Sequence, residues 1–483
     1  MRQKIKNKNG STLVYALVIM TIVMILLVSM LDYISAQLKF SFNRVEKEKA
    51  FQIAEAGVYY YRWYLAHETS GKTAIEINNF LQTGGPMGFS PAQVDYQGIG
   101  AYQLTITPPT AGSTVIVVQS VGWSYKVPTM RRTVSVRFRR PSWSEYTFLS
   151  NSFMNFGEEA EVFGKVHSNG GIRFDGLAHN TVSSLLPSFY DSTYGGSKKQ
   201  FGVHTTVNPA DPTAPSYPWP SGTVPSRPDV FMGGRDFPVS EVSFTGITTD
   251  LSNMRTKAIA GYGRYFNSSG LGWRIILKSD GTYDACKVKS IYNDNQLAIK
   301  SYYKTSGGTS SCSTCSGQCL TNYPIVNDGV IFVEDNVWVS GTINNKRVTI
   351  AAANLSGGDE GEKNLYIGVS NSNLRYAAYN CNNMLGLVAQ KNLLVLNDCP
   401  TNFIVDAALL AQNGFVGIND NGFGGKTSLT FNGAIASYLQ PFFAHGNDGF
   451  AVRVYNFDNN LLYCPPPYFP TGTEYAVDLW EEL

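Results

Sequence analysis

The sequence predicts a mainly β protein led by one long N-terminal α-helix: the helix is followed by a small antiparallel sheet, then by a larger body of parallel β-helix or solenoid type. Three observations carry this expectation. From Ser11 to Leu31 there is no charged residue, and no proline falls between Ser11 and Ser70, so a helix begun in the apolar run can continue far beyond it. The composition, with 46 Gly, 28 Tyr and 27 Phe but only 15% charged residues, favours short strands joined by tight turns. Strand-like runs separated by Asn/Gly turns then recur from Tyr102 to Ile435.

Length and charge set the outer bounds. A chain of 483 residues with 43% apolar content can bury a sizeable core in two or three domains. Its 38 basic and 36 acidic residues leave a formal charge of +2, which gives no bulk electrostatic reason for nucleic-acid binding, and none is expected.

The N-terminus decides the class. Arg2, Lys4, Lys6 and Lys8 precede Gly10 and the uncharged run. At ~1.5 Å per residue, that run crosses a ~30 Å hydrocarbon layer. Basic residues before the span place the N-terminus inside and the rest outside, a single pass of the cytoplasmic membrane with an exported body. Two plain alternatives are a secretory signal peptide and a signal anchor. The run exceeds the ~7–15 residues of a usual signal core and lacks a convincing small-x-small site at its end, which disfavours the first.

Gly10 lies before the span, and the basic leader, Gly10-Ser11 and Thr12-Leu13-Val14 together resemble a type IV prepilin leader. The resemblance implies that the prepilin peptidase cuts between Gly10 and Ser11 and leaves the helix attached. Major pilins carry glutamate at the fifth mature position, which here is Tyr15; this departure fits PilX-like minor pilins and K-type pseudopilins. Ala50-Phe51-Gln52-Ile53-Ala54-Glu55-Ala56-Gly57 is similar to the A-x-x-A-E-A-G stretch of PilX-like proteins, so Ala54, Glu55, Ala56 and Gly57 are expected in the assembly helix. By spacing alone, Ile53, Gly57, Tyr60 and Tyr64 form its apolar stripe.

After a leader at 1–10 and a helix at 11–66, a small sheet is expected over 67–141, from the runs Tyr102–Thr107, Thr114–Ser120 and Arg132–Phe138. The exported body follows at 142–483. Its strand–turn steps are irregularly spaced, which suits stacked rungs with loops of varying length. An insertion at 200–285 holds eight prolines between Pro209 and Pro238, read as extended surface chain. Within it a helix is expected on the face of Ile247, Leu251, Met254 and Ala258, ended by Gly261, and a hairpin around Asp280-Gly281. The tail from Arg453 to Trp480, with the His167-Ser168-Asn169-Gly170 step, is similar to uncharacterised bacterial proteins that join a PilX-like start to a β-solenoid body.

No reactive constellation emerges from the chain. Asp420 to Thr427 approaches a phosphate-binding loop, but a strand-like run follows where that loop needs a helix. His167 and His179 could meet on adjacent rungs, although both suit ordinary turn positions. Cys312, Cys315 and Cys319, with Cys286, could offer thiolates to zinc; export favours disulfides instead, for which Cys381, Cys399 and Cys464 are the other candidates, with one thiol left over. Asp328, Glu334, Asp335, Asp420 and Asp448 sit beside Gly or Asn as calcium ligands often do, without a complete loop pattern. No cofactor and no metal are expected.

The resemblance implies a non-enzymatic minor pilin or pseudopilin of a type IV pilus or type II secretion-like system, at or near the fibre tip. Its expected partners are other pilins through the helix, the inner membrane, the prepilin peptidase and a surface or glycan receptor. The competing expectation is a membrane-anchored carbohydrate-binding or carbohydrate-active β-helix protein.

Overall fold

The computed structural model describes residues 9–69, 74–109, 115–139, 142–194, 196–244, 247–292, 297–303, 318–355, 361–419, 422–471 and 475–483. The chain is mainly β, with one long N-terminal helix and a largely parallel sheet. Helix α1 (Asn9–Thr69) has 61 residues, about 90 Å of rise. In its apolar half, the hydroxyls of Thr21, Ser29 and Ser35 donate to carbonyls three or four residues back, so the few polar groups there are satisfied within the helix. A short helix, α2 (Ala74–Thr83), follows.

Strands β1 (Val94–Tyr96), β2 (Gly100–Thr107), β3 (Ile116–Ser124) and β4 (Arg131–Arg139) form an antiparallel sheet in chain order. Period-two alternation gives this sheet one buried face: Tyr102, Leu104, Ile106, Ile116, Val118, Val134, Val136 and Phe138 turn inward onto the second half of α1. A fifth strand, Ala476–Glu482, returns from the far end of the chain to pair antiparallel with β4.

The larger body is organised by a parallel ladder. In spatial order its strands are Gly263–Phe266, Gly329–Val333, Arg347–Ala352, Met384–Ala389, Asn402–Ala411, Gly425–Ser437, Phe148–Ser150, Val166–Ser168, Val182–Ser184 and Arg235–Asp236. The chain therefore enters in the middle, builds outward to Arg235, crosses the stack through α3 (Ile247–Ile259), restarts at Gly263 and stacks back until Gly425–Ser437 lies beside its own first strand. Ile331, Ile350, Leu387, Leu409 and Ile435 fill one core. Val330, Ala351, Val388, Leu410 and Ala436 face the opposite way, beneath Leu251, Met254 and Ala258 of α3 and Leu461 and Phe469 of the tail. Burial on both faces is the setting in which parallel strands are stable, and it explains their near-continuous apolar runs.

Open ladder ends would template aggregation, and both ends of the stack carry chain that departs from the parallel pattern. At one, in the neighbouring ladder, Trp273–Leu277 runs parallel to Val337–Ile343 and pairs antiparallel on its other side with Thr282–Ile291, which pairs in turn with Cys319–Pro324; Gly281 supplies φ +81 at the intervening turn. At the other end lies the proline-rich chain. Prolines carry no N–H, so this segment joins the ladder only at Arg235–Asp236 and the Phe231 bridge, and two arginines with buried side chains satisfy carbonyls in and beside it. Arg227 donates to the carbonyls of Pro209 and Val207, Arg235 to those of Val203 and Pro225. Arg235 also meets Asp211 at 2.5 Å, with both side chains at most 5% exposed.

Two strands of chain join sheet and body. Ser142 bridges Thr471, and the Trp143 N–H donates to the Pro470 carbonyl at 3.1 Å. Just upstream, Pro465 and Pro467 accept from Arg347 and Thr349, and the Cys381–Cys464 disulfide ties the tail to the stack.

Replacing Arg235 by methionine keeps most of the volume but leaves Asp211 without its nearest cation and two carbonyls without donors. The expected cost is about 3 kcal/mol or more, read as a lower urea midpoint with unchanged slope. A midpoint within experimental error of the parent would show that the arginine does not hold this end closed.

Candidate functional site

The feature with functional character is α1 and its seat. Between Thr12 and Phe42 its large side chains are exposed, from Leu13 at 71% to Phe42 at 46%, and the run holds no packing partner among the described residues. It is the one described helix long and apolar enough to cross a membrane. Gly10 and Ser11 lie in its first turns, and the Tyr15 side chain is 68% exposed.

The helix changes character at Glu46. This carboxylate is 1% exposed, accepts from Lys49 Nζ at 2.8 Å and accepts the Ser124 hydroxyl at the end of β3. The hydrogen bonds from Lys49 and then Ser124 hold its pKa below the ordinary glutamate value.

From there the helix lies close on the sheet because small residues meet. A Cβ on Gly57 would strike the Ser120 hydroxyl and the Tyr102 ring; one on Gly122 would strike the backbone of Ala50 and Ala54; one on Gly100 would strike the Trp123 carbonyl and Ile53. The A-x-x-A-E-A-G stretch thus has a packing role: Ala50, Ala54 and Gly57 are the helix side of this contact, while Glu55 and Ala56 lie half-buried at its margin. The buried face is Ile53, Ala54, Gly57, Val58, Tyr61, Tyr64 and Leu65. Tyr60, expected in that stripe, is instead 39% exposed. At ~100° per residue it sits about a quarter turn from the centre of the face, and Tyr61 takes the inward position. Phe51 meets Trp480 of the returning strand edge-on, with ring centroids 5.8 Å apart.

The sequence reading missed Glu46, Gly100, Gly122 and Trp480. Gly122 carried a usable signal, because a glycine inside a strand marks close backbone approach. Glu46 carried none, one acid among several in a polar helical stretch.

The other candidates resolve individually. Cys286 pairs with Cys319 and Cys381 with Cys464; Cys312 and Cys315 lie outside the described residues. Cys399 is a buried thiol, its pKa pushed up to about 12 by burial. His167 binds Ser183 and Asn169, whereas His179 binds Glu161, so the two histidines do not come together. Asp328 and Glu334 pair with Arg347 and Arg255. Asp335 accepts from Ser268 and Ser269, and Asp448 accepts the Gly424 N–H. Asp420 lies outside the described residues. After the phosphate-loop-like stretch, Gly425–Ser437 is a strand whose amides belong to the ladder. Among the described residues, no group of three or more His, Cys, Asp or Glu is placed to hold a metal ion.

Comparison with protein-family models, curated proteins and solved structures returned no match to this chain.

Two outcomes test the seat. Because the folded pKa of Glu46 is depressed, its contribution to stability is present above the unfolded value of about 4.3 and is lost as pH falls through the lower folded value. The melting midpoint of Glu46→Gln should therefore depend less on pH than the parent's below that point, and parallel curves would discount the Glu46 contacts. Gly122→Val, which forces a side chain into the backbone of Ala50 and Ala54, should cost about 1–3 kcal/mol in chemical unfolding; a neutral result would mean that the helix is not held this close.

Proposed function

We propose that the protein is a minor pilin or pseudopilin-like subunit of a type IV pilus or type II secretion-like system, acting in assembly, initiation or adhesion at or near the fibre tip. One observation carries the reading: a single continuous helix is uncharged and unpartnered at its N-terminal end and locked by small residues into an antiparallel sheet at the other. A free apolar helix rigidly tied to a folded body is what lateral packing into a helical bundle, or residence in a bilayer, requires.

Under this reading Ser11 to Leu31 lies in the inner membrane with the leader inside and the body exported. The prepilin peptidase removes residues 1–10, and neighbouring pilins pack along the helix. Tyr15 supplies a phenol where major pilins supply a carboxylate, so this subunit offers its Ser11 amine to a neighbour without offering the matching charge. That asymmetry suits a terminal position. So does bulk, since a body of this size would clash if repeated along a tight shaft. The successive parallel pairings support taking the body as a β-solenoid, a form that presents lateral surface for contact. The body then works by binding rather than catalysis, and its buried carboxylates serve structural partners.

Mass spectrometry of the protein recovered from membranes tests this. The mature chain should begin at Ser11, and Gly10→Arg should leave the leader attached while the protein still inserts. Parent protein that keeps Met1, or that starts beyond Leu31, would overturn the assignment in favour of a plain anchor or a secreted product.

A further inference from the structure

Where the chain's first and last tiers meet, a cleft of about 390 Å³ opens. Two ladders cross this seam: Ile435–Ser437 pairs with Phe148–Ser150, and Arg453–Tyr455 with Ala160–Val162. A third does not. Phe442 bridges Gly417 on one side of the gap, while Met154–Phe156 on the other pairs only with Ile172–Phe174 and forms the edge of a separate small sheet. The Met154 N–H and the Phe156 carbonyl are taken up on that paired side, so by strand alternation the Asn155 peptide N–H and C=O face the open edge. On the facing segment Pro441 has no N–H to offer, which explains why the ladder stops there.

The walls give the cleft its chemistry. Phe148 lies 4.9 Å from Phe156 and 4.8 Å from Tyr455 by ring centroids, and Tyr455 lies 5.8 Å from Phe443, an aromatic floor at most 6% exposed, while Phe442, which also lines the cleft, is half-buried. Arg453 reaches into the same space; it donates through Nη1 to the Phe450 and Ala451 carbonyls, and no carboxylate among the described residues forms an ion pair with it. The Asn155 side-chain Oδ1 is buried without a hydrogen-bond partner, an acceptor waiting for a donor. Gln440 and the exposed His445 also line the cleft.

We propose that this cleft binds a carboxylated sugar ring. The volume lies at the small end of ligand sites, which run from about 300 to 1,000 Å³, and admits one or two rings rather than a folded partner. The Arg453 guanidinium matches a carboxylate, the half-buried Phe442 ring offers an apolar face to the C–H surface of a pyranose, and the open peptide edge of Asn155 takes ring hydroxyls. The inference needs only the cleft: it does not depend on whether the helix is processed or assembled, so its failure and that of the pilin reading are separable.

The test is calorimetric titration of the full-length protein in detergent with D-glucuronate, using D-glucose as the neutral control. Glucuronate should saturate, and glucose should bind about tenfold more weakly. Arg453→Gln should lower glucuronate affinity to the level of glucose, with Arg453→Lys retaining part of it. Gly157→Leu, at a rim position where an added Cβ meets nothing closer than Arg453 Nη2 at 3.9 Å, should block both sugars; melting midpoints identify variants that retain the fold. Absence of saturation by glucuronate, equal affinity for the two sugars, or undiminished binding by a folded Gly157→Leu protein would each overturn the proposal.

Discussion

Ile435, Ala436 and Ser437 run parallel to Phe148, Leu149 and Ser150, and the architecture of the body depends on that contact. The strands belong to opposite ends of the body's sequence; the Ser150 hydroxyl reaches the Leu439 carbonyl across 289 residues. Each half of the stack would otherwise end in an open parallel edge, with Phe148 and Ile435 facing water. Joining them buries both in one core. The closure entropy of so long a loop grows only slowly with length, while the apolar surface removed from water at the seam scales with area. A non-local contact of this kind forms slowly, but once made it turns two half-stacks into one.

The same contact places entry and exit of the body side by side, so the strand leaving it at Asn456 can travel back to the helix-bearing sheet. That return shapes the attachment. Ala476–Glu482 covers the outer edge of β4, Trp480 packs on Phe51 of α1, and the Arg139–Glu145 ion pair and the Ser142–Thr471 bridge brace the crossing. Helix and body are thus coupled through two covalent crossings and a shared sheet rather than a single linker.

Much of this was legible locally. The uncharged run and the absence of proline predict the long helix, and the strand-like runs Tyr102–Thr107, Thr114–Ser120 and Arg132–Phe138 predict β2, β3 and β4, although β3 continues to Ser124 and Thr114 lies outside the described residues. The spacing of Leu251, Met254 and Ala258 predicts α3, and Asp280-Gly281 the hairpin turn, because each of these signals is written within one element. The proline-rich segment was legible only in part. Its limited pairing follows from composition, but its short rung at Arg235–Asp236 and the hold of Arg227 and Arg235 on it do not, since the carbonyls those arginines satisfy come from several separate turns. In the helix seat, the small residues on α1 could be read from the motif. Their counterparts Gly100 and Gly122, and the Glu46–Ser124 contact, required knowing which strand lies beneath the helix.

By itself, then, the sequence determined the apolar span, the continuity of α1 and the presence of many short strands, because helical and extended periodicities are set by neighbouring side chains and solvent. Only the tertiary structure decided the order in which tiers stack, the pairing of the last tier with the first, the C-terminal strand's place in the N-terminal sheet and the cleft left where the third ladder stops. Backbone N–H and C=O groups are chemically alike along the chain, so local pattern does not say which two strands pair; that choice is made by the global arrangement in which the most apolar surface is buried with its peptide groups satisfied.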